Sequence, residues 1–519
     1  MPLQLPASPR IEATHHRSPL SEADIAQCDH LVIALPSSTA QGDGWPEFPH
    51  QSLVRSLLER LTEVGEARRV HAVLPNANAT GLSAGFVPAG EDAFASLTAA
   101  RKLVADVARQ QVARVAVVAP GFSAQEQAQV LSAIVRSLAA AAFEMPSAKQ
   151  APRSDSNRVL LEHIDTFSPT QTLDYRRELA EAQGNGLARW LSALPSNALT
   201  VQGYLERVET LAGELGWELE VLRTQELEAL GANAYLAVAQ GSRGHSPSEP
   251  ALIHLRYRPP GGSVPNAPAE LALVGKGICF DTGGVNVKPA QYMQTMNEDM
   301  GGSAAALGTL YTITELGLPI AVDAWLALAE NAIGPAAYKP QDLITAANGT
   351  TIEVVHTDAE GRMVLADTLH LAAREQPALL VDLATLTGAC VNALTTAYSG
   401  VFVNRPELQD MLVEAGRSSG ERVWPFPLSA DFDHALESDF ADVKQCTIDG
   451  RGDHILAARF LGRFVPDSIP WVHIDLAASR HKGGLGHVPT DVTGFGVHLL
   501  TSLLVDQMLT SADEDGQAF

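Results

Sequence analysis

Cysteine is scarce: Cys28, Cys279, Cys390 and Cys446 are the only four in 519 residues, and no two stand in a C-x-x-C spacing. A disulfide framework and a thiolate zinc site are therefore both excluded, and all four are expected to be free thiols. Basic residues are also few. Lys and Arg number 36 against 60 Asp and Glu, a net charge of −24. So acidic a body repels phosphate backbones and anionic membranes, and nucleic acid is not expected as a partner. Apolar runs are interrupted, Leu131 to Phe143 by Arg136 and Ile320 to Leu328 by Asp323, so no membrane span is expected. The first residues, Met1 to Pro6, lack the basic start and apolar core of a secretory signal, which makes the cytoplasm the expected location. No H-E-x-x-H occurs among the 16 histidines, and no P-loop pattern is present. Gly81-Leu82-Ser83-Ala84-Gly85 spells G-x-S-x-G. The residues after it, Phe86 to Gly90, read as a loop, whereas a nucleophile elbow needs a helix there.

What is present is an ordinary globular composition, 46% hydrophobic and 18% charged, on a chain long enough for two to four domains at about 150 residues each. Short apolar strands alternate with helical stretches through the first third, the pattern of an α/β layer domain. Strands are expected at Leu31–Leu35, Val70–Leu74, Val112–Val118 and Arg158–Ile164, and helices at Ser52–Glu66, Ala93–Gln110 and Gln125–Phe143. A helix over Ser168–Ser192 reads as a connector. A second α/β series follows, with strands at Glu218–Leu222, Tyr235–Ala239, Ala251–Tyr257, Leu271–Phe280, Ile320–Leu328 and Leu379–Leu383. Unbroken apolar strands of this kind suit a central sheet covered on both faces. The expected organisation is a smaller N-terminal α/β domain over residues 1–166, a connecting helix over 167–197, and a larger C-terminal α/β/α domain with a mixed central sheet over 198–519. The acidic tail after Thr510 is expected to be frayed.

Two segments stand apart from packing logic. One runs from Lys276 through Asp281 and Lys288 to Asp299, with Gly275, Gly277, Gly283 and Gly284 interspersed; the other is His356-Thr357-Asp358-Ala359-Glu360-Gly361-Arg362. Both follow apolar strands, where open α/β sheets place their ligands. Asp281, Asp299, Asp358 and Glu360 brought together carry four negative charges, so they must protonate or take up cations. Two divalent ions balance them, and oxygen ligands suit Mn²⁺, Mg²⁺ or Zn²⁺.

The spacing K-x4-D-x6-K-x10-D, followed after 58 residues by D-x-E-x-R, resembles the M17 leucine aminopeptidase family, also called cytosol aminopeptidases. The resemblance covers about Ala251 to Leu500. It takes in Ala329-Glu330-Asn331, the Asn348-Gly349 hairpin, Asp382 to Gly388, Trp471-x-His473-x-Asp475 and Thr493 to Gly496. It implies that Asp281, Asp358 and Glu360 hold one divalent metal, and Lys276, Asp281, Asp299 and Glu360 the other, with Mn²⁺ or Zn²⁺ as the ions. It further implies that Lys288 polarises the scissile carbonyl and that Arg362 holds a bicarbonate ion acting as general base. A hydroxide bridging the metals would attack the first peptide bond of peptide substrates, making the enzyme an exopeptidase of leucine-type preference. Met296, Thr385, Leu386, Gly388, Ala477 and Arg480 match the substrate site. A cytoplasmic homohexamer is implied as well.

Two positions depart from the family pattern. His356 stands where Asn is usual and is expected to hydrogen-bond near the site without ligating. Arg480 stands where an apolar pocket wall is usual, which is expected to weaken the preference for leucine or admit acidic first residues. An alternative reading is a DNA-binding or other regulatory role of a hexameric aminopeptidase-like protein, against which the acidic total argues.

Overall fold

A computed structural model of the chain describes residues 5, 10–41, 44–61, 68–90, 92–107, 110, 112–149, 161–244, 246–260 and 267–509. Glu66, Arg158 and the tail after Thr510, each part of an expectation above, lie outside the described residues.

Two sheets organise the chain. The first is built from β1 (Glu12–His16), β2 (His30–Pro36), β3 (Arg69–Val73), β4 (Gly81–Val87), β5 (Arg114–Val118) and β6 (His163–Phe167), in the order β1-β6-β5-β2-β4-β3. All its pairs are parallel except β3 with β4. Successive side chains of a strand point to opposite faces. Val32 and Ala34 of β2 accordingly meet the helices Ala93–Val104 and Ala124–Ala142, while Leu31, Ile33 and Leu35 meet Val54 and Leu58 of the helix Gln51–Glu59. The long helix opens on a capping box between Ser123 and Glu126.

The second sheet contains β7 (Glu218–Leu222), β8 (Ala251–Tyr257), β9 (Leu271–Asp281) and β10 (Val322–Asn331). Beyond a small separate sheet of β11 (Leu343–Thr345), β12 (Thr351–Glu353) and β16 (Val443–Lys444), it adds β13 (Leu379–Ala384), β14 (Ser399–Val403), β15 (Val423–Pro425) and β17 (Trp471–Asp475). The order is β15-β14-β17-β13-β9-β10-β8-β7. The four central strands β17, β13, β9 and β10 are parallel. The antiparallel pairs β10–β8, β8–β7 and β17–β14 make the sheet mixed. Leu271 and Leu273 enter one core layer, Ala272 and Val274 the other. The helix Gly301–Leu316 lies so close to β9 that a Cβ at Gly275 would sit 2.4 Å from Cα of Ser303, which only glycine tolerates. The chain thus has the two-domain α/β fold expected of it, the larger domain around a mixed sheet.

Several details differ from expectation, β1 being a strand where none was expected. Tyr235–Ala239 is part of a helix, Asn233–Ala239, because Asp367 accepts a hydrogen bond from its Tyr235 amide at 2.9 Å and docks its first turn on the helix Glu360–Arg374. The helix expected to connect the domains begins only at Arg176 and is buried along most of its length against Gly301–Leu316. Phe86 and Val87 belong to β4, so the G-x-S-x-G segment is a strand, with the Ser83 hydroxyl buried between His30 and His71 at 2.8 and 2.9 Å. The four cysteines are free and buried. Among the described residues, no helix is long and apolar enough to cross a membrane.

Candidate active site

Because the central strands are parallel, their carboxyl ends open on one edge of the sheet, where open α/β folds bind ligands. Asp281 ends β9, Asn331 ends β10, the Thr385–Gly388 turn follows β13, and Asp475 ends β17. A β-bulge at Ala329/Glu330 brings Asn331 into register with Asp281, and its side-chain amide donates to Asp281 Oδ1 at 2.8 Å and to the Thr357 carbonyl at 2.9 Å. Asp475 accepts from the Thr387 hydroxyl at 2.6 Å and from the Leu386 and Thr387 amides at 3.3 Å, which fixes the turn after β13.

Lys276 projects from the middle of β9 toward the helix Glu360–Arg374. Its amine donates to Asp299 Oδ1 at 2.7 Å and to the Thr385 carbonyl at 2.8 Å, and pairs with Glu360 Oε1 at 2.8 Å. The side chain runs over Gly361, where a Cβ would lie 2.7 Å from Lys276 Cε. Lys288 Nζ lies 2.8 Å from Asp281 Oδ2 and 2.6 Å from Asp358 Oδ1. Burial opposes the charge on both amines, but the surrounding carboxylates outweigh it and hold both above the ordinary lysine value. Burial, together with Glu360 and Asp281, pushes the Asp358 carboxyl up to about 7. Asp281 and Asp299 are likewise raised by burial and by their neighbouring carboxylates. Glu360 is held low, since Lys276 and Lys288 outweigh the cost of its burial.

The donor set suits divalent cations. Asp281, Asp358 and Glu360 each present one oxygen, all within 4.8 Å of one another. Asp299 Oδ2 and Glu360 Oε2 are buried with no hydrogen-bond partner among the described residues, a costly state that a cation relieves. Lys276, Asp281, Asp299, Asp358, Glu360 and Lys288 line a cavity of about 320 Å³ with Met296, Thr385, Leu386, Gly388, Ala477 and Arg480. Arg362 and His356, both singled out in the sequence, do not line it. The Arg362 guanidinium is buried behind the cavity, donating to the Gln445 carbonyl at 3.1 Å and to Asp453 Oδ2 at 2.7 Å.

His356 keeps outside the carboxylate group, its Nδ1 accepting from the Asp358 amide at 3.2 Å. Arg480 is ion-paired with Glu298 in the cavity wall, so its charge is already matched. Four residues important here carried no assigned role in the sequence: Asn331, Glu298, Gln445 and Asp453. Asn331 lay within a motif of the family resemblance and could have been found from it. The other three act through tertiary contacts and gave no local signal.

The model of the cytosol aminopeptidase family, catalytic domain, matches residues 186–501. The chain belongs to this family. The family resemblance read from the lysine and carboxylate spacing is thereby borne out. The probable cytosol aminopeptidase of Syntrophotalea carbinolica is 45% identical over 322 residues, 62% of this chain and 63% of that protein; the match spans less than two thirds of that relative's length. Among solved structures, a mutant of tomato leucine aminopeptidase is similar with a TM-score of 0.80 at 27% identity, covering 97% of this chain and 99% of that one. The bottromycin maturation enzyme BotP in complex with Mn gives a TM-score of 0.75 at 30% identity, covering 92% of this chain and 98% of that one.

Proposed function

We propose that this protein is a metal-dependent aminopeptidase that removes N-terminal amino acids from peptides, with two divalent ions per subunit, Mn²⁺ or Zn²⁺. The observation that carries the reading is the convergence of Lys276, Asp281, Asp299, Asp358 and Glu360 around buried, unpartnered carboxylate oxygens beside Lys288. Asp281, Asp358 and Glu360 would hold one ion, and Lys276, Asp281, Asp299 and Glu360 the other. Lysine ligates only as the free amine, so Lys276 must release its proton, which a neighbouring dication favours. When bound, the ions supply Lewis-acid polarisation of the carbonyl and activation of water at neutral pH.

The chain's own residues do the rest. Lys288, no longer needed to balance Asp281 and Asp358, offers its cation to oxyanion charge developing on the scissile carbonyl. The Thr385–Gly388 backbone, fixed by Asp475, lines the peptide's path. Met296 and Ala477 offer an apolar lining to the first side chain, while the Arg480–Glu298 pair adds a polar wall, which supports a broadened leucine-type preference. Both terminal nitrogens of the Arg362 guanidinium are engaged within the chain, which disfavours a bicarbonate there. A cytoplasmic homohexamer belongs to the same proposal, supported by the family, and so do the domain limits at 166 and 197.

The test is hydrolysis of an aminoacyl-p-nitroanilide panel by the metal-stripped protein, refilled with Mn²⁺ or Zn²⁺, beside Lys288→Ala. Activity that returns with metal and is lost in the variant supports the reading. Silence across the panel with every metal refutes it.

A further inference from the structure

Arg362 is a buried guanidinium, 1% exposed, and a charge so placed requires a counter-anion. In this chain the counter-anion is internal. Asp453 Oδ2 accepts from Nη2 at 2.7 Å, and the Gln445 carbonyl accepts from Nη1 at 3.1 Å. Among the described residues Nε has no partner, and each terminal nitrogen keeps a second N–H. A planar oxyanion such as bicarbonate is gripped by two guanidinium N–H groups side by side, and here both terminal nitrogens already donate within the chain, one of them to the Asp453 carboxylate.

The arrangement around Asp453 is built rather than incidental. Asp453 is the first residue of the helix Asp453–Leu461, where unsatisfied amides and the helix dipole favour a carboxylate. Its second oxygen, Oδ1, is buried with no hydrogen-bond partner among the described residues. Gln445 is itself fully buried. Its side-chain oxygen accepts from the Val355 and His356 amides at 3.1 and 3.2 Å, and its side-chain amide donates to the Ala359 carbonyl at 2.9 Å. The Arg362–Asp453 pair is thereby tied to the segment that carries Asp358 and Glu360.

We propose that Asp453 is the resident anion of Arg362, filling the place where the family resemblance puts a bicarbonate ion, so that this enzyme works without bicarbonate. The inference rests on the aminopeptidase reading above. Asp453 is a positioning residue in this account. It fixes the guanidinium and supplies the negative charge beside it.

The experiment follows peptide hydrolysis by the metal-loaded full chain in CO₂-free buffer and across a bicarbonate series, for wild type, Asp453→Ala and Asp453→Asn. Wild-type turnover is expected to be flat across the series. Asp453→Ala is expected to lose about tenfold or more without bicarbonate, the scale of one charge-assisted hydrogen bond, and to regain most of it as bicarbonate is added. Bicarbonate is also expected to raise the melting temperature of Asp453→Ala but not of wild type. Rescue distinguishes this role from a merely structural one, since a packing defect does not respond to a small anion. Asp453→Asn keeps the size while removing the charge, and is expected to lose turnover with weaker rescue because its amide still blocks the site. A wild type stimulated by bicarbonate, or an Asp453→Ala variant as fast as wild type in CO₂-free buffer, overturns the proposal. If Asp453→Ala does not fold, the wild-type series and Asp453→Asn decide. A wild type inactive under every condition refutes the aminopeptidase reading; the melting arm then still judges the anion site, where stabilisation of wild type by bicarbonate counts against it.

Discussion

The amine of Lys288 lies 2.6 Å from Oδ1 of Asp358, inside the carboxylate cluster. Two lysines thus stand among four acids, with Lys276 bridging Asp299 and Glu360 as Lys288 bridges Asp281 and Asp358. The same pairs offset part of the negative charge that burial gathers here, and they separate the roles of the two amines. Lys276 is deep and held on three sides, whereas Lys288 comes from a loop and retains some exposure.

Lys288→Ala is expected to lower kcat by about 10²–10³-fold, the usual scale for removing one group that stabilises developing oxyanion charge. It should leave the metal content of the refilled protein unchanged. Metal analysis beside steady-state kinetics checks both, and a variant that loses its metals would recast Lys288 as a structural counter-charge.

The metal-stripped protein should lose stability as pH rises. Asp358 has its carboxyl pushed up to about 7 by burial and by Glu360 and Asp281, while in the unfolded chain it titrates near the usual value of about 3.9. Its contribution is therefore fully present below the unfolded value and is lost as pH climbs through about 7. Refilling with Mn²⁺ or Zn²⁺ reverses the trend, since the ions compete with protons for the same oxygens. Melting temperatures of both forms across this range are the check; parallel profiles would argue against cation binding at Asp358.

Glu298→Gln frees the Arg480 guanidinium from its partner in the cavity wall. The ratio of kcat/KM for glutamyl over leucyl substrates is expected to rise about tenfold, because an unmatched cation then faces the first side chain. An unchanged ratio would mean that Asp491, at 3.4 Å, takes over the pairing or that the first side chain does not reach this wall.

Glu181→Ala should destabilise the fold by about 3–5 kcal/mol, the cost of leaving a buried charge pair half-broken. This carboxylate is fully buried and pairs with Arg136 at 2.7 Å, Arg177 at 2.8 Å and His498 at 3.1 Å. It ties a helix beside the first sheet to the helix Arg176–Ser192 and to the C-terminal helix Val497–Ser502. Denaturant unfolding measures the loss, and a change under 1 kcal/mol would show that the hub is dispensable.

Much of this protein could be read before its fold was known. The strands Glu218–Leu222 and Ala251–Tyr257 match the expected limits, and the helix Ala124–Ala142 matches to within a residue, because apolar alternation and helical periodicity are local. The strands β1 and β4 were missed. Glu12–His16 has hardly an apolar residue and so lacks the pattern of a half-buried strand, while Gly81–Val87 alternates Leu82, Ala84 and Phe86 but carries two glycines that read as turn signals. Tyr235–Ala239 is a short apolar run, which periodicity alone cannot divide between strand and helix.

The sequence by itself determined the chemistry of the centre: which lysines and acids share one segment or lie at fixed spacing, and hence which cations suit them. Charge and donor type are properties of the residues, and nearby spacing survives folding. Only the tertiary structure decided which charges neutralise which. The Asp453 carboxylate comes 91 positions after Arg362 to meet it, and Arg480 reaches back 182 positions to Glu298. Such pairings depend on which strand ends the sheet order sets side by side, and no local pattern encodes that order.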